Sequence, residues 1–145
     1  MNKSEKFNVV LKTWGLALVV ISMTGCAAHS PFILVNTTDV NALSGKKLPA
    51  QAGKVFLTGE SLPKEFGYEP LAQIEVGKVW YGSDEKVYAT LAEEARKIGA
   101  DAVIEIGTWH QPAGWSWAAP QGTGKAIKFN NPSTVDLSKI KGQWK

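Results

Sequence analysis

The sequence predicts an α+β domain, a small mixed β-sheet of three to five strands with one main helix, about 84–98, packed on one face. Two observations support this prediction. Apolar and polar residues alternate over 71–81 and again over 102–106, which is the period of a half-buried strand. Between these stretches, apolar residues recur every three or four positions, as on a helix that covers a sheet. The strand–helix–strand succession indicates a crossover unit, right-handed if the two strands run parallel.

The elements follow in order along the chain. A short strand is predicted at 54–58, where Gly59 stops it. The helix is expected to start at an N-cap, Asp84, and to end at Gly99, a natural C′ residue. Its apolar stripe consists of Val87, Tyr88, Leu91, Ala95 and Ile98. We expect this stripe to face the sheet and the charged side chains of the helix to be solvated.

The last third of the chain is less regular. Residues 109–122 contain two prolines, two glycines and three tryptophans, and we predict a loop there. A final strand is predicted at 124–129, antiparallel to the strand at 102–108. Residues 130–145 are predicted to be a C-terminal tail. In this tail Ser133 and Asp136 resemble a capping box, and Leu137, Ile140 and Trp144 would form the apolar edge of a short helix.

The N-terminus has the three parts of a secretory signal. Lys3, Lys6 and Lys12 form a basic leader, and residues 14–23 are apolar and uncharged. As a helix this run would be roughly 15 Å long, about half of a hydrocarbon core. Small residues end the run at Gly25, which is the arrangement of a cleaved signal peptide.

The end of this segment, Ser22-Met23-Thr24-Gly25-Cys26, resembles the lipobox of bacterial lipoproteins. The resemblance implies that Cys26 receives a diacylglycerol on its sulfur, that residues 1–25 are removed, and that the new amine is acylated, as with palmitate. Several acyl chains on one residue would make membrane attachment effectively permanent. Ala27 stands where an inner-membrane retention signal would carry Asp, which favours the outer membrane. A secreted protein with a stray cysteine and an uncleaved anchor helix remain alternatives.

This interpretation divides the chain into four parts. Residues 1–25 are the signal peptide, 26–53 the lipidated N-terminus and tether, 54–129 the α+β domain, and 130–145 the tail. We expect the domain to face the periplasm, although the sequence leaves surface exposure open.

Composition excludes several classes of function. The chain has 16 basic and 13 acidic residues; residues 1–25 hold three of the former and one of the latter, so 13 and 12 remain, a net charge of +1. This balance lacks the basic excess of nucleic-acid-binding proteins, and no nucleic-acid partner is expected. Because Cys26 is the only cysteine, its lipidation would leave no thiol for a disulfide, redox chemistry or a cysteine-ligated metal.

A second resemblance lies in the domain. Residues 95–104, Ala-Arg-Lys-Ile-Gly-Ala-Asp-Ala-Val-Ile, and residues 124–129, Gly-Lys-Ala-Ile-Lys-Phe, are similar to motifs of small α+β domains of the YbjQ-like group and of the stress-sensor lipoprotein RcsF. The resemblance covers about residues 70–129 and implies a fold more than an activity. The YbjQ-like group is labelled heavy-metal-binding. RcsF-like domains rely on disulfides, which this chain is not able to form.

The residues offer little for metal or catalytic chemistry. The two histidines, His29 and His110, do not form a pair with ligand spacing. No Gly-x-Ser-x-Gly motif marks a nucleophile for His110 to activate. We therefore predict no catalytic residues, no metal ligands and no cofactor, and the protein is not expected to be an enzyme.

The segment 109–122 is the candidate contact site. Trp109, His110, Trp115 and Trp117 are the predicted partner-binding residues, because tryptophan is prominent in protein hot spots and at membrane interfaces. In the alternative, these rings fold back to close the core. We expect a non-catalytic, lipid-anchored envelope protein with the membrane as one partner, through Cys26, and an envelope protein or the cell wall as another. A periplasmic domain that binds metal or a small ligand, as the YbjQ-like resemblance implies, is the alternative.

Overall fold

The computed structural model describes residues 34–145, so the predicted signal peptide and the lipid-attachment residue Cys26 lie outside the described residues. The described chain forms one helix and one mixed sheet. The strands are β1 (Thr37–Ala42), β2 (Phe56–Leu57), β3 (Tyr68–Gly77), β4 (Ala102–Ala113), β5 (Ser116–Phe129) and β6 (Gln143–Trp144), and the helix is α1 (Glu85–Lys97). Short 3₁₀ helices lie at Lys64–Phe66, Pro132–Thr134 and Leu137–Lys139. No helix among residues 34–145 is long and apolar enough to cross a membrane.

The sheet has the strand order β1-β3-β5-β4-β2-β6. Every neighbouring pair is antiparallel except β2 and β4, which are parallel. Because β3 and β4 each pair antiparallel with β5, they run parallel to each other on its two sides. The predicted crossover from strand to helix to strand is therefore present, with β5 inserted between its two strands.

The mixed α/β architecture and the single helix agree with the prediction, but six strands replace the predicted three to five. The additional strands are β1, within the predicted tether, and β6, within the predicted tail. Both are edge strands. All residues of β1 except Thr37 are exposed, and β6 has only two residues, so neither leaves the alternation of burial that identifies a strand in a sequence.

Helix α1 forms where its apolar stripe predicts it. Val87, Leu91 and Ala95 are buried against the sheet. The helix ends at Lys97 with Ile98 as its C-cap, and Gly99 follows with a φ of +74°. A side chain at Gly99 would also meet the carbonyl oxygen of Pro49 at 2.6 Å. Glycine is therefore required there by both backbone conformation and space.

The two faces of the sheet are covered by different parts of the chain. Helix α1 covers one face, over a core that includes Val55, Leu57, Ile74, Val76, Val87, Leu91 and Val103. On the second face, Phe56, Ile104, Ile127 and Phe129 form a smaller core. Val135, Leu137 and Ile140 from the C-terminal residues pack on this smaller core. Residues 130–145 are thus part of the packed fold.

The local prediction for these last residues was wrong. Ser133 donates its hydroxyl to Asn131 Oδ1 at 2.7 Å, while Asp136 Oδ1 accepts from the backbone N–H of Ser138 at 3.0 Å. Ser133 and Asp136 therefore form no capping box. Trp144 lies in β6 beside β2, because strand pairing and the second core hold this stretch more strongly than its marginal helical pattern.

Candidate functional site

Residues 109–122 form the distal half of a long β-hairpin, not the predicted loop. The pairing of β4 with β5 continues from Ala102 and Ile127 to Ala113 and Ser116, with irregularities after Ile104 and after Gln111. Gly114, with a φ of +55°, opens the two-residue turn. Strand β3 ends at Gly77, opposite Gln121. The part of β5 between the turn and Gln121 is therefore an edge on that side, and Pro120 is tolerated there.

The hairpin tip and the β3–α1 connection, residues 78–84, place five aromatic side chains at one end of the sheet. We call this the aromatic end. The exposed fractions are 81% for Trp117, 68% for Trp115, 58% for Trp80, 55% for Tyr81 and 38% for Trp109. Exposure on this scale by large aromatic side chains is costly in water and is a feature of contact surfaces.

Hydrogen bonds join the connection to the hairpin. The backbone N–H of Trp117 donates to the Tyr81 hydroxyl at 3.2 Å. His110 Nε2 lies 3.4 Å from the carbonyl oxygen of Gly82. The amide of the buried Gln121 donates to the carbonyl oxygen of Lys78 at 2.8 Å. Each bond spans more than 25 residues of sequence, so the aromatic end is assembled by tertiary contacts.

His110 sits beside an aspartate that also accepts a hydrogen bond from a threonine hydroxyl. His110 Nε2 lies 3.6 Å from Asp84 Oδ1, and the side chains are 42% and 39% exposed. The Thr108 hydroxyl donates to Asp84 Oδ2 at 2.8 Å. In a hydrolytic triad the histidine accepts a proton from the hydroxyl. Here the aspartate lies between the two, so the geometry fixes the start of α1 against β4.

This bond to Thr108 also explains a local difference from the predicted helix start. Asp84 occupies the N-cap position, but its side chain makes no capping hydrogen bond to the helix backbone. The carbonyl oxygen of Asp84 still accepts from Val87 and Tyr88. Asp84 therefore attaches the helix to the hairpin with its side chain and begins the helix with its backbone.

Lys78 supplies a basic group beside this end. Its Nζ donates to the Thr90 hydroxyl at 2.7 Å. Burial lowers the pKa of Lys78, and the carboxylate of Glu93 opposes that effect. The lysine thereby ties the connection to the exposed side of α1.

The four predicted partner-binding residues, Trp109, His110, Trp115 and Trp117, do lie together at one end of the fold. Trp109 also donates from its ring nitrogen to Gln111 Oε1 at 3.0 Å. Trp80 and Tyr81 join them, although the alternation over 71–81 predicts that both belong to a strand; β3 ends at Gly77. The adjacent Trp-Tyr pair followed by Gly-Ser, at the change from strand to helix, was the signal that could have identified them.

Concave sites are found elsewhere on the described residues. A groove of about 420 Å³ lies between Lys54, Asp101, Leu137 and Trp144, and one of about 370 Å³ lies between Thr58, Tyr88 and Lys141. Neither is lined by a residue of the aromatic end. Within residues 34–145, no group of three or more His, Cys, Asp or Glu side chains is placed to hold a metal ion.

Comparison of the chain with protein-family models, with curated proteins and with solved structures finds no match.

Proposed function

We propose that the chain is a lipid-anchored protein of the bacterial envelope that acts without catalysis, through contacts made by its aromatic end. Cys26 would carry the lipid and the outer membrane would hold it, with the domain facing the periplasm. The observation that carries the proposal is the exposure of Trp80, Tyr81, Trp115 and Trp117 on two segments that hydrogen bonds join into one surface.

Two features of the site support a contact role over a catalytic one. The His110 ring contacts an aspartate and a carbonyl oxygen, and neither of these two groups is a nucleophile that it could activate. The exposed rings lie at the hairpin tip and in the β3–α1 connection, and they line neither of the two grooves described above. A projecting aromatic surface suits a broad partner, because tryptophan and tyrosine bury much area at little conformational cost.

In-cell photo-crosslinking tests the contact surface. A photo-reactive phenylalanine analogue is placed at position 117 or 115 of the full chain, and at the exposed position 139 as a control remote from the aromatic end. We expect irradiation to give adducts from 117 and 115 and none, or far fewer, from 139. Absence of adducts at both aromatic positions would contradict the proposed contact.

Substitution of Cys26 tests the anchor independently. The Cys26→Ser protein is expected to retain residues 1–25 and to carry no acyl group, because neither acylation nor the cleavage that depends on it can proceed without the thiol. Mass spectrometry of the purified protein measures both properties, and Cys26→Ala provides a second variant. Normal removal of the leader from either variant would show that the anchor assignment is wrong.

A further inference from the structure

The N-terminal chain enters the fold at the aromatic end. Thr37, the first residue of β1, pairs with Gly77, Gly77 pairs with Gln121, and Gln121 pairs with Trp109. These residues form one row across the sheet, and the hairpin tip continues beyond it. The backbone N–H of Val79 donates to Asn36 Oδ1 at 3.2 Å. The entering chain is therefore held against the connection that carries Trp80 and Tyr81.

The opposite end of the sheet carries the remaining described tryptophan. Trp144 pairs with Phe56, Phe56 with Ala102, and Ala102 with Ile127. Ten residues of β5 separate Ile127 from Trp117, which corresponds to about 33 Å at the rise of a β-strand. Of the five tryptophans outside the predicted signal peptide, four lie at the aromatic end and one lies at this distant end.

The tether between anchor and fold is short. Leu34 is eight positions after Cys26, and even a fully extended chain of this length reaches only about 29 Å. Leu34 and Val35 are 58% and 67% exposed. Because the tether joins the fold at the aromatic end, a lipid on Cys26 would favour the approach of this end, with these two aliphatic side chains, to the bilayer.

We infer that the partner of the aromatic end is the lipid–water interface of the membrane that holds the anchor. The inference rests on the proposed lipid anchor and names the surface that the contact site meets. Tryptophan and tyrosine prefer this interface because the ring enters the upper acyl region while the N–H or O–H stays among the headgroups. Lys86, whose Nζ lies 3.4 Å from the Tyr81 carbonyl oxygen, adds a cation at phosphate depth.

The anchor and the aromatic end act together in this arrangement. The lipid confines the domain within the reach of the tether, so that even a weak second contact is occupied much of the time. That second contact orients the domain, with β5 running away from the membrane and the end at Trp144 farthest from it. The grooves beside Trp144 and Lys141 are then presented away from the bilayer.

Lipid quenching of single tryptophans tests the inference. Two full-length proteins are prepared, acylated in cells and reconstituted into vesicles of phosphatidylethanolamine and phosphatidylglycerol. One keeps Trp117 and the other keeps Trp144 as the only tryptophan of the processed chain, with Phe at the remaining positions. Vesicles containing lipids brominated on the upper acyl chain are expected to remove about half of the Trp117 emission and little of the Trp144 emission.

The outcomes separate this inference from the proposed function. Equal quenching of both proteins, or none at Trp117 in protein that floats with the vesicles, would overturn the bilayer contact and leave the anchor intact. Failure of the acylated protein to float with vesicles would instead contradict the proposed anchor.

Spin labels provide a second measurement in which every ring is kept. With Cys26 acylated, Ser83→Cys or Ser138→Cys introduces the only free thiol. Ser83 lies in the β3–α1 connection, Ser138 lies in the C-terminal residues, and both are exposed. A nitroxide at position 83 is expected to be more accessible to oxygen than to a water-soluble nickel complex. The reverse preference is expected at position 138. The same preference at both positions would contradict the orientation.

Discussion

Tryptophan is exposed at both ends of the sheet, but its neighbours differ. Trp144 is 53% exposed, and its ring centroid lies 5.2 Å from that of the buried Phe56, with the planes tilted by 59°. Trp117 is 81% exposed, and the hydrogen bond from its backbone N–H to the Tyr81 hydroxyl leaves its ring unsupported by that contact. An exposed tryptophan is thus part of the packing where an aromatic neighbour supports it. On the hairpin tip it is available for a partner.

The largest predicted effect is a difference in stability: a substitution beside Trp144 should lower the free energy of unfolding much more than a substitution at the hairpin tip. Phe56→Ala removes a ring that is 3% exposed and supports both the second core and Trp144. We expect it to lower the free energy of unfolding by about 3–5 kcal/mol. Trp117→Ala should change that free energy by no more than about 0.5 kcal/mol. Urea denaturation followed by circular dichroism measures both.

The same experiment has an internal control. Trp144→Phe keeps an aromatic ring beside Phe56 and should lose less stability than Trp144→Ala. If Trp117→Ala proved as destabilising as Phe56→Ala, the aromatic end would be a packed part of the fold. The distinction between the two ends would then be wrong.

A second prediction concerns the close packing of α1 on the hairpin, which positions the aromatic end. At Gly122 an added methyl would lie 2.5 Å from Val87 Cγ1 and 3.1 Å from the carbonyl oxygen of Gly107. Gly122→Ala should therefore push the start of α1 from the sheet and lower the free energy of unfolding by about 1–3 kcal/mol.

Gly107 provides the matched control for this substitution. It faces Thr123 on the same hairpin, and a methyl there would meet nothing within 4 Å. Gly107→Ala should leave stability unchanged or raise it by up to about 1 kcal/mol. Thermal unfolding of the two variants measures the difference, and equal losses would rule out close helix–sheet packing as the cause.

The smallest predicted effect lies between the two ends, on the second face. Lys125 Nζ lies 2.6 Å from Glu105 Oε2, and this bond, with one from the Ser61 hydroxyl, lowers the pKa of Glu105 despite partial burial. A lowered folded-state pKa stabilises the fold above the unfolded-state value of 4.5, and the contribution disappears as the pH falls through the folded-state value.

Glu105→Gln tests this ion pair. Because the carboxylate is more than a third exposed, solvent screening limits the expected loss to about 0.5 kcal/mol at pH 7. The difference from the native chain should shrink as the pH falls from 4.5 and vanish below the lowered folded-state pKa of Glu105. Urea titrations across this pH range measure it. A loss that persisted in acid would point to the backbone at Glu105, whose φ is +53°, instead of the ion pair.

Local patterns were sufficient to predict α1, the strands on both sides of it and the antiparallel pairing of the last strand. A run of 13 helical residues leaves a complete apolar stripe, and β3 leaves a clear alternation at Leu71–Val76. The edge strands β1 and β6 show no such pattern in the sequence, because the side chains of β1 are mostly exposed and β6 has only two residues. The pairing of β4 with β5 beyond Gly107 is not predicted from the sequence, because prolines and glycines ordinarily indicate a loop. Pro120 fits a strand here only because β3 ends beside it, and that end is a feature of the tertiary structure.

For the candidate site, residue types indicated that Trp109, His110, Trp115 and Trp117 belong to one surface, because they are neighbours in sequence. Only the folded chain brings Trp80 and Tyr81 to the same surface, since helix α1 and the first part of β4 separate the segments along the chain. The entry of the N-terminal residues at this end was also decided by tertiary structure. The row from Thr37 to Trp109 depends on pairing between four strands, and no periodicity within one segment specifies such long-range pairing.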